Sequence, residues 1–588
     1  MSVLTTALAS GACLGFSSRV TPPPALSPPP PLGLLDTLPA PALLSLSLLA
    51  TVLVMFLGSW ALAPREESAP SKELAPAPAP SVRPPNAAAA PAPSVRPPSA
   101  TAEPIVPAVP HDKFAAYEVK MRREGCSPTA IAAFKYNYGV LVSGANLMIG
   151  ESAIAPVQSL PTLDELDPAE DAALLAQTVM LKLNGGLGTG MGLDKAKSLL
   201  VVKGRSSFLD LIAQQLQAMR ERFGTSLAFM LMNSFSTSAD TLEHLSKYAF
   251  LPAAADLEFV QNKAPKVTAA DHSPASWPKE PSHEWCPPGH GDLYPAMVGS
   301  GTLDKLLARG IRYMFVSNSD NLGATMDLRL LTHFARSGAP FMMEVAQRTD
   351  ADKKGGHLAR DAQSGELLLR ESAQCPKEDE DAFQDTAKYK YFNTNNLWVD
   401  LLALKAAYAK HSGALPLPVI KNAKTVDPRD KGSTKVLQLE TAMGSAISCF
   451  AGATAVCIPR TRFAPVKTCA DLLALRSDAY VLTPDFRVEL APARAGVPPT
   501  IKLDDGYKFV DQLDQAFPHG APSLIGCKSL TISGAVIFSK GVVVRGTVKV
   551  VNPTAKPLTL PAGKYEDVTV DGPPLYDAVA FAASKHSC

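Results

Sequence analysis

The sequence predicts an α/β fold: a central mixed, mostly parallel, doubly wound sheet, preceded by a helical part and followed by a β-rich part. Three observations carry that prediction. Between Ala172 and about Ser477, short apolar runs alternate with amphipathic helical runs, the order that βαβ units impose. One apolar run, Val179–Leu183, ends in a loop with four glycines in six residues, Gly185, Gly186, Gly188 and Gly190. From about Asp478 the helical periodicity fades, and brief β runs punctuated by glycine take over, as in LTISGAVIFSKGVVVRGTVKVV.

The first boundary comes from composition. Of 53 prolines in the 588 residues, a large share lies before Asp112. Leu43 to Ala63 is almost wholly apolar, with Trp60 near its end and Arg65 just after it. That length and flanking suit a membrane-crossing helix. The segment APAPSVRPP occurs at 77–85 and again at 90–98. Such tracts build no core and favour extended, linker-like conformations. Residues 1–110 are therefore read as a leader with an apolar helix (43–63) and a Pro/Ala tether. Its first 35 residues are rich in hydroxyls, with one arginine and no acid, a transit-peptide-like composition poor in arginine. Organelle (plastid-like) targeting, a membrane anchor and a wrongly assigned start codon are the three readings.

From His111 to Asp171 a helical subdomain is expected. Phe114, Tyr117 and Met121 recur at helical spacing, and Ser127-Pro128 can open a second helix. Residues 172–477 form the α/β part, with strands at Val179–Leu183, Leu227–Met232, Tyr313–Ser317, Phe341–Val345 and Leu397–Val399, and helices such as Phe208–Phe223 and Leu328–Ser337 between them. For residues 478–588 the recurrence of β-branched positions suggests a left-handed β-helix; an antiparallel meander is the alternative. The net charge of +1 gives no sign of a nucleic-acid surface. Nine cysteines lie scattered with no C-x-x-C pair, which argues against a zinc site or a disulfide framework.

In doubly wound sheets ligands sit beyond the carboxyl ends of strands, so the polar residues after each strand are the candidates. The glycine loop can bring bare backbone N–H groups against an anion, because glycine has no Cβ to hold a phosphate away. Lys195 and Lys197 follow at once. The spacing is neither the P-loop nor the dinucleotide fingerprint, and a tight βα turn is the plainer reading. Asp320, in Ser317-Asn318-Ser319-Asp320-Asn321, can hold Mg²⁺ through one or two oxygens or cap the next helix. Gly289 and Gly291 enclose His290, a donor for an anionic or sugar oxygen, and Asp292 can cap the helix after it. Asn393-Thr394-Asn395-Asn396 offers paired amides to sugar hydroxyls, or forms a polar turn. Arg460, Arg462 and Lys467 share one proline-containing loop, either solvated or aimed at a polyphosphate.

Taken together, LKLNGGLGTGMG, FLDLI, LMNSFST, PPGHGDLYPA, FVSNSDNLGA, FNTNNLWV, KVLQLETAMGSAI and PRTRFAPVK resemble the eukaryotic-type UDP-glucose pyrophosphorylase (UTP–glucose-1-phosphate uridylyltransferase) family, from about Phe114 to about Val570. The resemblance implies a Rossmann-like nucleotidyltransferase domain, a C-terminal β-helix, and Mg-dependent uridylyl transfer from UTP to glucose 1-phosphate. It implies that Leu183, Asn184, Gly185 and Gly186 contact uridine and phosphates, that Lys197 binds the triphosphate and that Gln261 reads the uracil. Gly289 would back the nucleotide. Asn318, Ser319 and Asp320 would lie on the ribose and metal, with Asp320 the Mg²⁺ ligand. His290, Asn393, Thr394 and Asn395 would bind the sugar phosphate, and Lys467 would be the catalytic cation, with Lys197 opposite.

Two departures stand out: Lys195-Ala196 replaces the usual Gly-Pro before Lys197, which puts the loop's rigidity in doubt, and Cys286 stands where tyrosine is usual. Broader UDP-sugar pyrophosphorylase activity, or a membrane-tethered UDP-sugar-binding protein without catalysis, are the alternative functions. Membrane contact would come through 43–63, and self-association through the C-terminal part. The family is usually cytoplasmic, which is the alternative location.

Overall fold

The computed structural model describes residues 111–572. The apolar run 43–63 and the tether lie outside the described residues; among the described residues, no helix is long and apolar enough to cross a membrane. Helices α1 (His111–Arg123) and α2 (Pro128–Val142) open the described chain. Ser127 caps α2 by accepting from Ala130 N, with Pro128 in the first turn, where its missing N–H costs nothing. Phe114, Tyr117 and Met121 pack with Phe134 and Tyr138, the two tyrosine rings 4.8 Å apart. The helical expectation for the stretch to Asp171 stops at Val142. Gly144 takes a positive φ of 70°, and the chain then runs through short turns and an edge strand, Ile154–Pro156.

Ten strands form the central sheet: β1 (Ile154–Pro156), β2 (Thr178–Asn184), β3 (Ala228–Asn233), β4 (Glu258–Val260), β5 (Tyr313–Asn318), β6 (Phe341–Gln347), β7 (His357–Asp361), β8 (Leu367–Arg370), β9 (Tyr391–Asp400) and β10 (Thr454–Cys457). The order is β4-β3-β2-β5-β9-β6-β10, with β7 joining β9 at Phe392 and carrying β8 and β1. The expected mixed sheet forms, but it is less parallel than the sequence suggested. Strands β2, β3, β4 and β5 are mutually parallel, as are β6 and β10, whereas every pair made by β7 or β9 is antiparallel. Strand direction leaves no trace in an apolar run that is buried on both faces.

Alternation along the strands fills two cores. Met180, Phe229, Leu231, Phe315, Met342 and Trp398 face one side. Val179, Leu181, Met230, Met314, Val316, Met343 and Leu397 face the other. The first of these cores continues without a break into the C-terminal residues Leu513, Leu530, Val548 and Leu560.

Beyond residue 500 each strand pairing is parallel. Thr500–Leu503 lies on Ser523–Ser533, which lies on Val542–Val551, which lies on Gly563–Glu566 and Thr569–Asp571; Val536–Phe538 lies on Leu558–Leu560. An antiparallel meander does not form there. Gly534, at φ 80°, permits the stacking, since a Cβ would stand 2.0 Å from the Asn552 carbonyl oxygen.

Because Leu530 and Trp398 share one core, Leu530→Ala should lower stability by about 2–5 kcal/mol. Denaturant unfolding followed by tryptophan fluorescence and by far-UV circular dichroism should shift by the same amount. Separate transitions for the two signals would show that the C-terminal strands unfold on their own.

Candidate active site

Three parallel strands end side by side. Asn184 pairs in register with Asn233, and Leu183 with Asn318, so the glycine loop, Ser234 and the Asn318–Asp320 segment emerge at one edge. Strand β9 runs the other way, with Val316 opposite Leu397. Its beginning, Asn393–Asn395, therefore lies at that same edge.

The glycine loop leaves β2 and doubles back. Gly186 O accepts from Lys197 N at 3.2 Å, Leu187 is bridged to Ala196, and Gly188 O accepts from Met191 N and Leu193 N. Lys197 is thereby returned to the mouth. At Gly185 a Cβ would meet Gln261 Oε1 at 2.9 Å, so any larger residue would push Gln261 away. Ala196 sits at φ −52°, within the range a proline ring fixes. The loop thus keeps the backbone angle that the missing Gly-Pro would impose.

Lys197 Nζ donates to Asp320 Oδ2 at 2.8 Å. The Lys467 loop is fastened beside this pair: Val466 N donates to the Asp320 carbonyl at 3.2 Å, and Asn321 is bridged to Pro465. Lys467 is exposed, and its N–H is capped by Asp471 Oδ2 at 2.9 Å. The two arginines of this loop differ: Arg460 is exposed, whereas Arg462 is buried. Arg460 pairs with Asp352, and Arg462 is buried on Glu344.

Some predicted contacts prove to be struts. Asn184 Nδ2 donates to Asn233 Oδ1 and Thr241 Oγ1, while its Oδ1 accepts from Ser319 Oγ at 3.1 Å. These side chains hold the strand ends together, leaving backbone groups of the loop to face a ligand. Leu183 is buried, and its carbonyl accepts from Ser319 N. Asn318 stays half-buried at the strand end. Thr394 is buried, and its Oγ1 donates to the Glu344 carbonyl at 2.6 Å.

On the opposite wall, Gln261 Nε2 donates to Gly289 O at 2.9 Å, which leaves Gln261 Oε1 as an acceptor. Gly289 has a φ of 81°, and a Cβ on it would lie 2.4 Å from Thr441 O. Glycine is required at this position on both counts. His290 Nδ1 accepts from Met443 N at 3.0 Å, so the neutral ring carries its proton on Nε2. Asp292 does not cap its helix with its side chain. It accepts from Asn262 N and Nδ2 at 2.7 and 3.0 Å, tying the Gln261 segment to the His290 loop; burial raises its carboxyl to about 7.

At Asn393–Asn395 the register with β6 slips between Glu344 and Val345, and Asn395 adopts φ 59°. This bulge turns Asn393 and Asn395 upon each other, Asn393 Nδ2 donating to Asn395 Oδ1 at 3.0 Å.

Sequence reasoning passed over Glu371. Its carboxylate closes against Gly356, where a Cβ would stand 2.5 Å from Oε2. Burial pushes its pKa up, against a hydrogen bond to Asn393 and the charge of Lys467. The clue was available, since Glu371 directly follows the apolar run Leu367–Leu369 and Arg370.

Known proteins share this arrangement of segments. The sequence profile described as UTP--glucose-1-phosphate uridylyltransferase matches residues 135–545. The chain belongs to that family. The relative named UTP--glucose-1-phosphate uridylyltransferase in Solanum tuberosum is 42% identical over 416 residues, covering 70% of this chain and 84% of the relative. The relative of that name in Saccharomyces cerevisiae is 42% identical over 405 residues, covering 68% and 80%. The open and closed structures of UDP-glucose pyrophosphorylase from Leishmania major match at TM-score 0.74 and 48% identity, covering 78% of this chain and 99% of that one. A variant of the Leishmania major protein was solved in complex with UDP-glucose, again at TM-score 0.74 and 48% identity over the same shares.

Within this uridylyltransferase-family site, burial lowers His290 from an ordinary value of 6.5 to about 4. Between those values the unfolded chain binds the proton and the folded one does not, so this group's contribution to stability falls as pH drops from about 6.5 towards 4. Nitrogen NMR of His290 should show the Nε2–H tautomer, neutral from pH 8 to pH 5. A protonated ring at pH 6 would contradict the assignment.

Proposed function

We propose that the chain transfers the uridylyl group of UTP to glucose 1-phosphate, giving UDP-glucose and pyrophosphate. The observation that carries the reading is the junction at Asp320, where Lys197 and the Lys467 loop meet at the edge from which the glycine loop emerges. Membership of the uridylyltransferase family supplies the substrates.

Both substrates are anions, so their repulsion is a large part of the barrier. In-line attack by a phosphate oxygen of glucose 1-phosphate forms the new bond to the α-phosphorus, and the bond to the pyrophosphate oxygen breaks. The attacking oxygen is already ionised, so no general base is required. Alignment and charge neutralisation remain to be supplied. In this reading the backbone of Leu183–Gly186 and the Asn318–Asp320 segment cradle the nucleotide. Gln261 Oε1, with Gly289 behind it, accepts from the uracil N–H. His290 donates Nε2–H to the sugar phosphate. Asn393, Asn395 and Glu371 face the hexose hydroxyls. Lys197 and Lys467 take the triphosphate charge.

The donor set also fits Mg²⁺. Asp320 is a single carboxylate beside a phosphate cradle, and magnesium keeps waters and substrate phosphates as most of its ligands. Asp320 would hold the ion, whose chemistry there is neutralisation of phosphate oxygens. We also read the parallel C-terminal strands as a left-handed β-helix. The stacked pairings and the glycine turn at Gly534 support that reading.

Pyrophosphate release from UTP, measured with a panel of sugar phosphates, tests the function. Glucose 1-phosphate should be the preferred acceptor; equal use of several sugar phosphates would favour the broad-specificity alternative, and no release would end the proposal. Lys467→Ala should lower turnover by about 10²–10³-fold with a smaller change in the KM for glucose 1-phosphate. Undiminished turnover would remove Lys467 from the mechanism. Asp320→Asn should raise the magnesium concentration needed for half-maximal rate, and an unchanged magnesium titration would take Asp320 out of the metal site.

A further inference from the structure

We propose that the buried pair Arg462–Glu344 is the positioning element that sets Lys467 against Asp320 and the hexose loop. The proposal rests on the uridylyl-transfer reading above.

Three segments carrying the proposed chemistry converge on this pair. Arg462 Nε and Nη2 each donate to Glu344, to Oε2 and Oε1, at 3.0 Å. The guanidinium also holds the chain just after Asp320: Nη2 donates to the Thr325 carbonyl at 3.0 Å, and Nη1 to Asp327 Oδ2 at 3.4 Å. The Arg462 carbonyl accepts from Asn321 Nδ2 at 3.2 Å. Asn321 Oδ1 accepts in turn from Ala464 N at 3.0 Å. Glu344, fully buried, accepts from Asn396 Nδ2 at 3.1 Å and Trp398 Nε1 at 2.9 Å, and its carbonyl accepts from Thr394 Oγ1. One ion pair therefore joins the Asp320 loop, the Lys467 loop and the start of β9.

The packing leaves these loops little freedom to slide. A Cβ on Gly323 would lie 2.4 Å from the Thr461 carbonyl oxygen, so the two backbones already touch. Lys182 pins the same loop from the sheet, donating to Ser317 Oγ at 2.7 Å and to the Ala324 carbonyl at 2.6 Å. A stabilising role alone would be a poor reason for such a pair. Replacing a buried ion pair with well-packed apolar groups is often neutral or favourable to stability. What apolar groups cannot reproduce is the bidentate fork that fixes direction as well as distance. Arg462 and Glu344 are positioning residues: they reach the reaction only through Lys467, Asp320 and Asn393–Asn395.

The test uses the full 588-residue chain, with UDP-glucose synthesis as the readout. The double variant Arg462→Met with Glu344→Leu should still unfold in one cooperative transition, at a lowered Tm because Asn396 Nδ2 and Trp398 Nε1 lose their acceptor. Its kcat should fall about 10²-fold, the scale of a 1 Å misplacement, with KM for both substrates changed by less than about 3-fold. Wild-type kcat in the folded double variant would overturn the proposal.

Should the double variant fail to fold, Arg462→Lys keeps the charge and loses the fork; its kcat should drop about 10-fold. In a Lys467→Ala background the same Arg462→Lys change should cost little more, because the group it positions is gone. Fully multiplicative losses would assign Arg462 to stability alone. If the wild-type chain makes no UDP-glucose, the activity reading falls and takes the positioning role with it. Normal wild-type activity combined with multiplicative losses refutes the positioning role by itself.

Discussion

The contact between Lys197 and Asp320 is the one on which the rest of the site depends. It joins the glycine loop, which follows β2, to the polar end of β5, and so unites two segments 123 residues apart in the chain. The Asp320 main chain then receives the Lys467 loop through Val466 N. A lysine held on a carboxylate is also kept from pairing elsewhere before substrate arrives. A triphosphate entering the cradle offers that ammonium a second anionic partner without requiring it to move far. Preorganisation of this kind makes a charged group worth more to a transition state than the same group free in water.

Much of this could be read from the residues, and the reason is local. Glycines that must admit backbone or a neighbouring side chain, such as Gly185 and Gly289, and an acid directly after an apolar strand, such as Asp320, carry their meaning within a few positions. What could not be read depends on partners distant in sequence. Asn184 and Ser319 looked like ligand groups but are consumed by Asn233 and by one another. Arg462 was one of three cations on a loop read as either solvated or aimed at a polyphosphate, and its carboxylate lies 118 residues earlier. Glu371 was missed because it stands alone, without the flanking amides that drew attention to Asp320.

The direction of β9 was not legible in the sequence, and it bears on the site. Had β9 run parallel to β5, Asn393–Asn395 would have stood at the far edge of the sheet. Running antiparallel, it presents its first residues where β2, β3 and β5 end. The bulge lies at that edge too: Thr394 and Asn395 are both extra on β9 between the pairs Glu344–Asn396 and Val345–Asn393. With Asn395 at φ 59°, Asn393 Nδ2 reaches Asn395 Oδ1.

Two charged clusters thus divide the work by exposure. Lys197, Asp320 and Lys467 are accessible enough to exchange partners with a substrate. Glu344 and Arg462 are closed off from water, with every donor and acceptor aimed at a neighbouring segment. Coulombic forces between half-buried groups are partly screened, so such a pair holds its geometry yet yields to a competing anion. The same forces between buried, hydrogen-bonded groups resist displacement, because separating them strands a charge in a medium that solvates it poorly. A site that must bring two repelling phosphates into line needs both kinds. On the proposed mechanism the outer cluster lowers the repulsion, and the inner one keeps the outer cluster from yielding to it.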